Sequence, residues 1–310
     1  MISFRQLIVT IVSIFLALGL GILAGTLVID QTLVRNLRQQ TAHAEKTAAN
    51  EGRQLHDATS LLGGLVPFVV QGKLAHHKVI VLADANVDGG ALSEATNMLR
   101  QAKADVVAQL QTTDSFAPDN PARANLAQLL TQDGQVLSDD PSTSAAKDLA
   151  DRLASGPPAV DQKTGKPIGR DLLADLLSAG YLEYPATSPP TPQDVGGPGQ
   201  VVVVVAGGKR DPAVPFESFM MPFVEQLATR AVPVGVAEPQ ATTHSLVGLI
   251  RSDGTLSGID NLATVDDLAS NDLRGGVALV LALRDLLRPQ PRGGNYGVKP
   301  GGDGLLPSGS

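Results

Sequence analysis

From Leu7 to Ile29 the chain runs for 23 residues without a charge, and that run limits every later reading. At about 1.5 Å per residue a helix of this length spans a hydrocarbon core of roughly 30 Å. A cleaved signal peptide has a shorter apolar region, roughly 7–15 residues, followed by a small-residue cleavage site. No convincing A-x-A site follows here, so residues 1–29 read as a retained transmembrane anchor. Arg5 and the terminal amine lie on one side, Arg35 and Arg38 offset by Asp30 on the other, and the flanking charge leaves the orientation open. Ala17, Gly21 and Gly25 fall four apart, either as a small-residue face for close helix approach or as ordinary glycine tolerance in a membrane helix.

After the anchor the chain is free of proline until Pro67. Leu27, Val34, Thr41, Ala48, Leu55 and Leu62 fall seven apart, with Leu37, Ala44, Glu51, Ala58 and Leu65 three residues further on. That alternation is the seam of a coiled coil, weakened in its middle by Thr41 and Glu51. Residues 30–65 therefore read as a coiled-coil stalk joining a parallel homodimer or a hetero-oligomer. A single amphipathic helix packed on its own domain is the other reading.

Residues 66–288 change period. Val79–Ala83 is a short continuous apolar run, Ala91–Lys103 carries one apolar face, and Asp105–Leu110 reads as a second strand, giving β-α-β order. The order returns with the five valines Val201–Val205, a helix over Phe216–Arg230 and a strand over Val232–Val236. Ile259–Ala263 with Val265 predicts a further strand segment, and Gly276–Leu287 a closing helix. Strands apolar on both faces need helices above and below, which predicts an α/β fold with a Rossmann-like, mostly parallel open sheet. Between the halves, helical patches at Arg123–Leu130, Ala145–Leu153 and Asp171–Leu177 precede an irregular Pro- and Gly-rich loop before the valine strand. Residues 289–310 are Gly- and Pro-rich and read as a disordered tail.

Composition removes several chemistries. A formal charge of −7 and a pI near 5.2 oppose a nucleic-acid partner, which needs a basic face. With no cysteine there is no disulfide, thiolate nucleophile or cysteine-ligated metal. Gly207-Gly208-Lys209-Arg210 follows a strand but lacks the earlier glycine and the Ser or Thr of a phosphate loop, and no G-x-G-x-x-G occurs there. Asp84, Asn86, Asp88 and Gly89 match the first half of a calcium loop, but Ala95 stands where the closing carboxylate belongs, so a polar turn capping the next helix is favoured. His76-His77 and Met220-Met221 are the candidate metal ligands, the thioethers suiting Cu(I) and competing with a core-filling role beside Phe219 and Phe223. No G-x-S-x-G elbow or spaced carboxylate dyad is present, and the residues predict no enzyme and no assured cofactor, copper being the candidate ligand.

Larger stretches carry a family likeness. They are the opening Met1-Ile2-Ser3-Phe4-Arg5-Gln6, Leu16 to Gly21 in the anchor, Ala231 to Ala237, Ser257 to Asn261, Gly275 to Leu283 and the closing Gly294-Asn295-Tyr296-Gly297. In these the chain resembles the MctB-type copper transport family over nearly its whole length. The resemblance implies an actinobacterial envelope protein of copper homeostasis or efflux, described in some cases as an outer-membrane channel. It places a single-pass protein in the cell membrane with its soluble domain outside the cytoplasm, outer-envelope association being the alternative. It brings no catalytic or metal-binding residue. One helix cannot enclose a pore alone. A related SteB-like branch implies a scaffold that works with a membrane, septal or cell-wall partner to regulate peptidoglycan hydrolysis and cell separation. A third reading is an enzyme using the crevice around Asp84 and Gly207.

Overall fold

A computed structural model describes residues 6–24, 46, 53, 63–132, 137, 139–161, 163, 168–185, 189–269 and 273–307. The chain divides into two compact units, Met1–Leu61 and Leu62–Ser310. In the first, helix α1 (Gln6–Ala24) is 19 residues long and apolar enough to cross a membrane. Its two hydroxyls are satisfied within the helix: those of Thr10 and Ser13 donate to the carbonyls of Gln6 and Val9 at 2.9 and 2.8 Å. The predicted stalk, residues 30–65, lies outside the described residues except at 46, 53 and 63–65.

The second unit is built on a seven-stranded sheet in the order β3-β2-β1-β4-β5-β6-β7. The strands are β1 (Lys78–Ala83), β2 (Asp105–Thr112), β3 (Leu182–Glu183), β4 (Val201–Val205), β5 (Val234–Ala237), β6 (Leu262–Val265) and β7 (Gly294–Tyr296). All pairs are parallel except the short antiparallel β2–β3 contact. Residues on a strand alternate between faces, so each apolar run feeds two cores at once. Ile80, Leu82, Val202, Val204, Val234 and Val236 enter one core, and Val79, Val81, Val201, Val203, Val205 and Val265 enter the other.

Helices α3 (Ala122–Leu130), α4 (Pro141–Ser155), α5 (Leu172–Ser178), α6 (Met220–Thr229) and α7 (Leu246–Ser252) supply the first core. Helices α2 (Gly89–Gln101) and α8 (Leu273–Leu286) supply the second, together with the helical residues 63–70. The predicted doubly wound architecture therefore forms. The irregular loop before β4 is pinned by Arg152 of α4. Its guanidinium pairs with Asp171 at 2.7 Å and donates to the carbonyls of Val195 and Pro192 at 2.9 Å.

Three sequence expectations are corrected. The strand expected from Ile259 starts at Leu262, because Asn261 turns the chain and donates from its side chain to Val232 O at 2.7 Å. The helix expected over Phe216–Arg230 is split at Phe219 into a 3₁₀ turn (Phe216–Ser218) and α6. The tail expected to be disordered from Pro289 instead supplies β7, which pairs with β6 and buries Tyr296. Its low apolar content does not matter there, since a strand added to an open edge is held by backbone hydrogen bonds.

Candidate functional site

The strand order reverses between β1 and β4: from β1 the chain runs to β2 and β3, and from β4 to β5, β6 and β7. The connections leave on opposite faces, α2 packing in one core and α6 in the other. In folds of this kind the crevice beyond the carboxyl ends of the strands at that reversal is the usual ligand site.

Asp84 stands there, immediately after β1. It is 1% exposed, and neither carboxylate oxygen has a hydrogen-bond partner. Burial pushes its pKa up from 3.8 to about 6, and the nearby amides of Asn86 and Ala85 draw it partly back. The loops around it knit together. Asn86 donates to Asp211 O at 2.8 Å, Asp88 N donates to Gly207 O at 3.0 Å, and Gly208 N donates to Thr242 Oγ1 at 3.1 Å.

The glycine pair serves this closure. Gly207 has φ +82°, and a Cβ on Gly208 would lie 3.0 Å from Asn86 O and 3.2 Å from Asp88 N. The amide that a phosphate cradle would use is thus taken by Thr242. Asp88 is likewise committed, its Oδ1 accepting from Ala91 N at 3.0 Å as the N-cap of α2, which is the polar-turn reading of the half calcium loop.

Glu238 directly follows β5 and Asp266 directly follows β6, and both are fully buried. Glu238 accepts from Ser245 Oγ, Val247 N and Lys299 Nζ. Asp266 pairs with Arg251 and accepts from the amides of Val298 at 2.7 Å and Lys299 at 3.1 Å. Arg251 also donates to Thr264 Oγ1 and Tyr296 O, both at 2.9 Å. The segment after β7 therefore lies over the ends of β5 and β6, with its lysine on one buried carboxylate and its backbone on the other. Beside this closed edge a pocket of about 510 Å³ opens between the loop after β4 and the start of α7. It is lined by Asp211, Glu217, Phe216, Thr243 and His244, with His244 Nδ1 3.3 Å from Asp211 Oδ1.

The four candidate metal ligands do not form one site. Exposed His76, at φ +69°, and half-buried His77 occupy the turn before β1, at the amino end of the sheet. Met220 and Met221 open α6, which begins at the carboxyl end. The six residues of β1 hold these ends roughly 20 Å apart. Met220 is buried in the same core as Phe116, Phe219 and Phe223, and Met221 is half-buried against it. Among the described residues no three His, Asp or Glu side chains converge as a metal cluster.

The family model for the copper transport outer membrane protein MctB matches residues 1–307. The chain belongs to the MctB family. Relatives named Copper transporter MctB, from Mycobacterium tuberculosis and Mycobacterium bovis, are 25% identical over 335 residues, an alignment covering 99% of this chain and 98% of theirs. The MctB match thus takes in the apolar helix and the α/β unit together. Sequence reasoning placed Asp84 and Gly207 at the crevice but missed Glu238, Asp266, Arg251 and Lys299. The available signal was positional: β1, β5 and β6 each end in an apolar residue followed at once by an acid.

Proposed function

We propose that this chain is a membrane-anchored, non-enzymatic component of copper homeostasis, with its α/β unit held outside the cytoplasm. Relatives aligned over nearly their whole length carry the name copper transporter, which supports the copper assignment. The observation that carries the non-enzymatic part is that the buried acids beyond β5 and β6 are engaged by the chain itself: Lys299 and Arg251 neutralise Glu238 and Asp266. Transport by this chain alone is disfavoured, because α1 is a single helix and the described sheet is open, with β3 and β7 at its edges.

Deleting the gene in its host and measuring cell copper under copper load tests this reading. Copper should rise on deletion and return to normal with the full chain and equally with the Asp84→Asn chain. Unchanged copper on deletion would remove the homeostasis role. Failure of Asp84→Asn alone, with the protein present at normal level, would restore the crevice as a working site.

A further inference from the structure

The helical residues 63–70 have two apolar faces where a surface helix needs one. Val66 and Val70 are buried in the second core, and a Cβ on Gly63 would lie 3.5 Å from Leu273 of α8. On the opposite side Leu65 is 49% exposed, Phe68 82% and Val69 41%. Outside α1, no large apolar side chain among the described residues is as exposed as Phe68. At about 100° per residue the two groups are centred roughly 140° apart around the helix, so packing on the domain leaves the second face uncovered.

The sequence indicates what covers it. Leu65 is the last of the seam residues that alternate from Leu27, and Val69 lies seven residues after Leu62, at the next position of the same seam. Phe68 flanks both. The exposed face is therefore the heptad face, and the buried face carries the intervening positions. A helix folded back on its own domain would bury the heptad face instead.

We propose that Leu65, Phe68 and Val69 are covered by the same residues of a second, parallel copy of this chain, at the carboxyl-terminal end of the heptad pattern. Identical chains lying side by side and parallel present this same face to one another. Like residues then meet across the seam without any other partner. Because the domain docks on the opposite face, pairing does not displace it.

The absence of cysteine gives a direct test. The full-length chain is made with single substitutions Leu65→Cys, Val69→Cys, Gly64→Cys or Gln71→Cys, all at exposed positions, and treated in its membranes with a copper-free thiol oxidant. Like residues at seam positions come within disulfide reach in a parallel pair, whereas Gly64 and Gln71 point away from it. The expected result is a disulfide-linked dimer at 65 and 69 and only background at 64 and 71. No crosslink at 65 and 69, or equal crosslinking at all four positions, overturns the proposal. The readout is assembly alone, so it is independent of whether the chain handles copper.

Discussion

Asp84 carries an energetic penalty that a single substitution relieves. Its folded-state pKa, about 6, lies above the unfolded value of 3.8, so the native state binds the proton more tightly. The contribution of Asp84 to stability is therefore most favourable below pH 4 and falls as pH rises towards 6, levelling off above. A shift of about two units corresponds to roughly 3 kcal/mol lost at neutral pH. Asp84→Asn keeps the shape and removes the ionisation. Chemical unfolding of the full chain at pH 7.5 should show Asp84→Asn more stable than the parent by an amount of that order, with the difference largely gone at pH 4. Equal stabilities at both pH values would mean that the carboxylate is satisfied in solution.

At the scale of elements, the segment after β7 acts as a strap over the carboxyl ends of β5 and β6. Lys299→Met should leave the Glu238 charge buried and half-partnered. The expected cost is about 3 kcal/mol, the lower end for breaking a buried ion pair because Lys299 keeps some solvent contact. Adding Glu238→Gln to Lys299→Met should recover part of it. Hydrogen exchange in residues 238–247 would report the loosening, and unchanged protection there would show that the strap carries no load. This strap was illegible in the sequence for a physical reason. Gly294–Tyr296 has too little apolar surface to fold alone and becomes a strand only because β6 offers an edge. Strand β3, two residues long, was likewise too short to show a period. By contrast β4 was readable to the residue, because five valines buried on both faces admit no other use. Of the candidate site, Asp84 was legible as the residue ending an apolar run. The pairing of Asp266 with Arg251 was not, because it joins positions on different elements that only the fold brings together.

At the scale of the whole molecule, the chain carries an apolar helix and an α/β unit in which the carboxyl ends of β5 and β6 are covered by the segment after β7. The proposed role in copper homeostasis therefore makes attachment to the membrane, and not turnover in a crevice, the feature to test. The apolar run from Leu7 to Ile29 was the most legible feature of the sequence, and the helix over Gln6–Ala24 is long and apolar enough to cross a membrane. The most direct test replaces residues 1–29 with a cleaved secretion signal, so that the same domain is released outside the membrane, and measures cell copper under load in the deletion background. The account predicts that the released domain, though folded and exported at normal level, leaves cell copper as high as in the deletion, while the anchored chain lowers it. Full rescue by the released domain would contradict the account and return the function to a soluble activity.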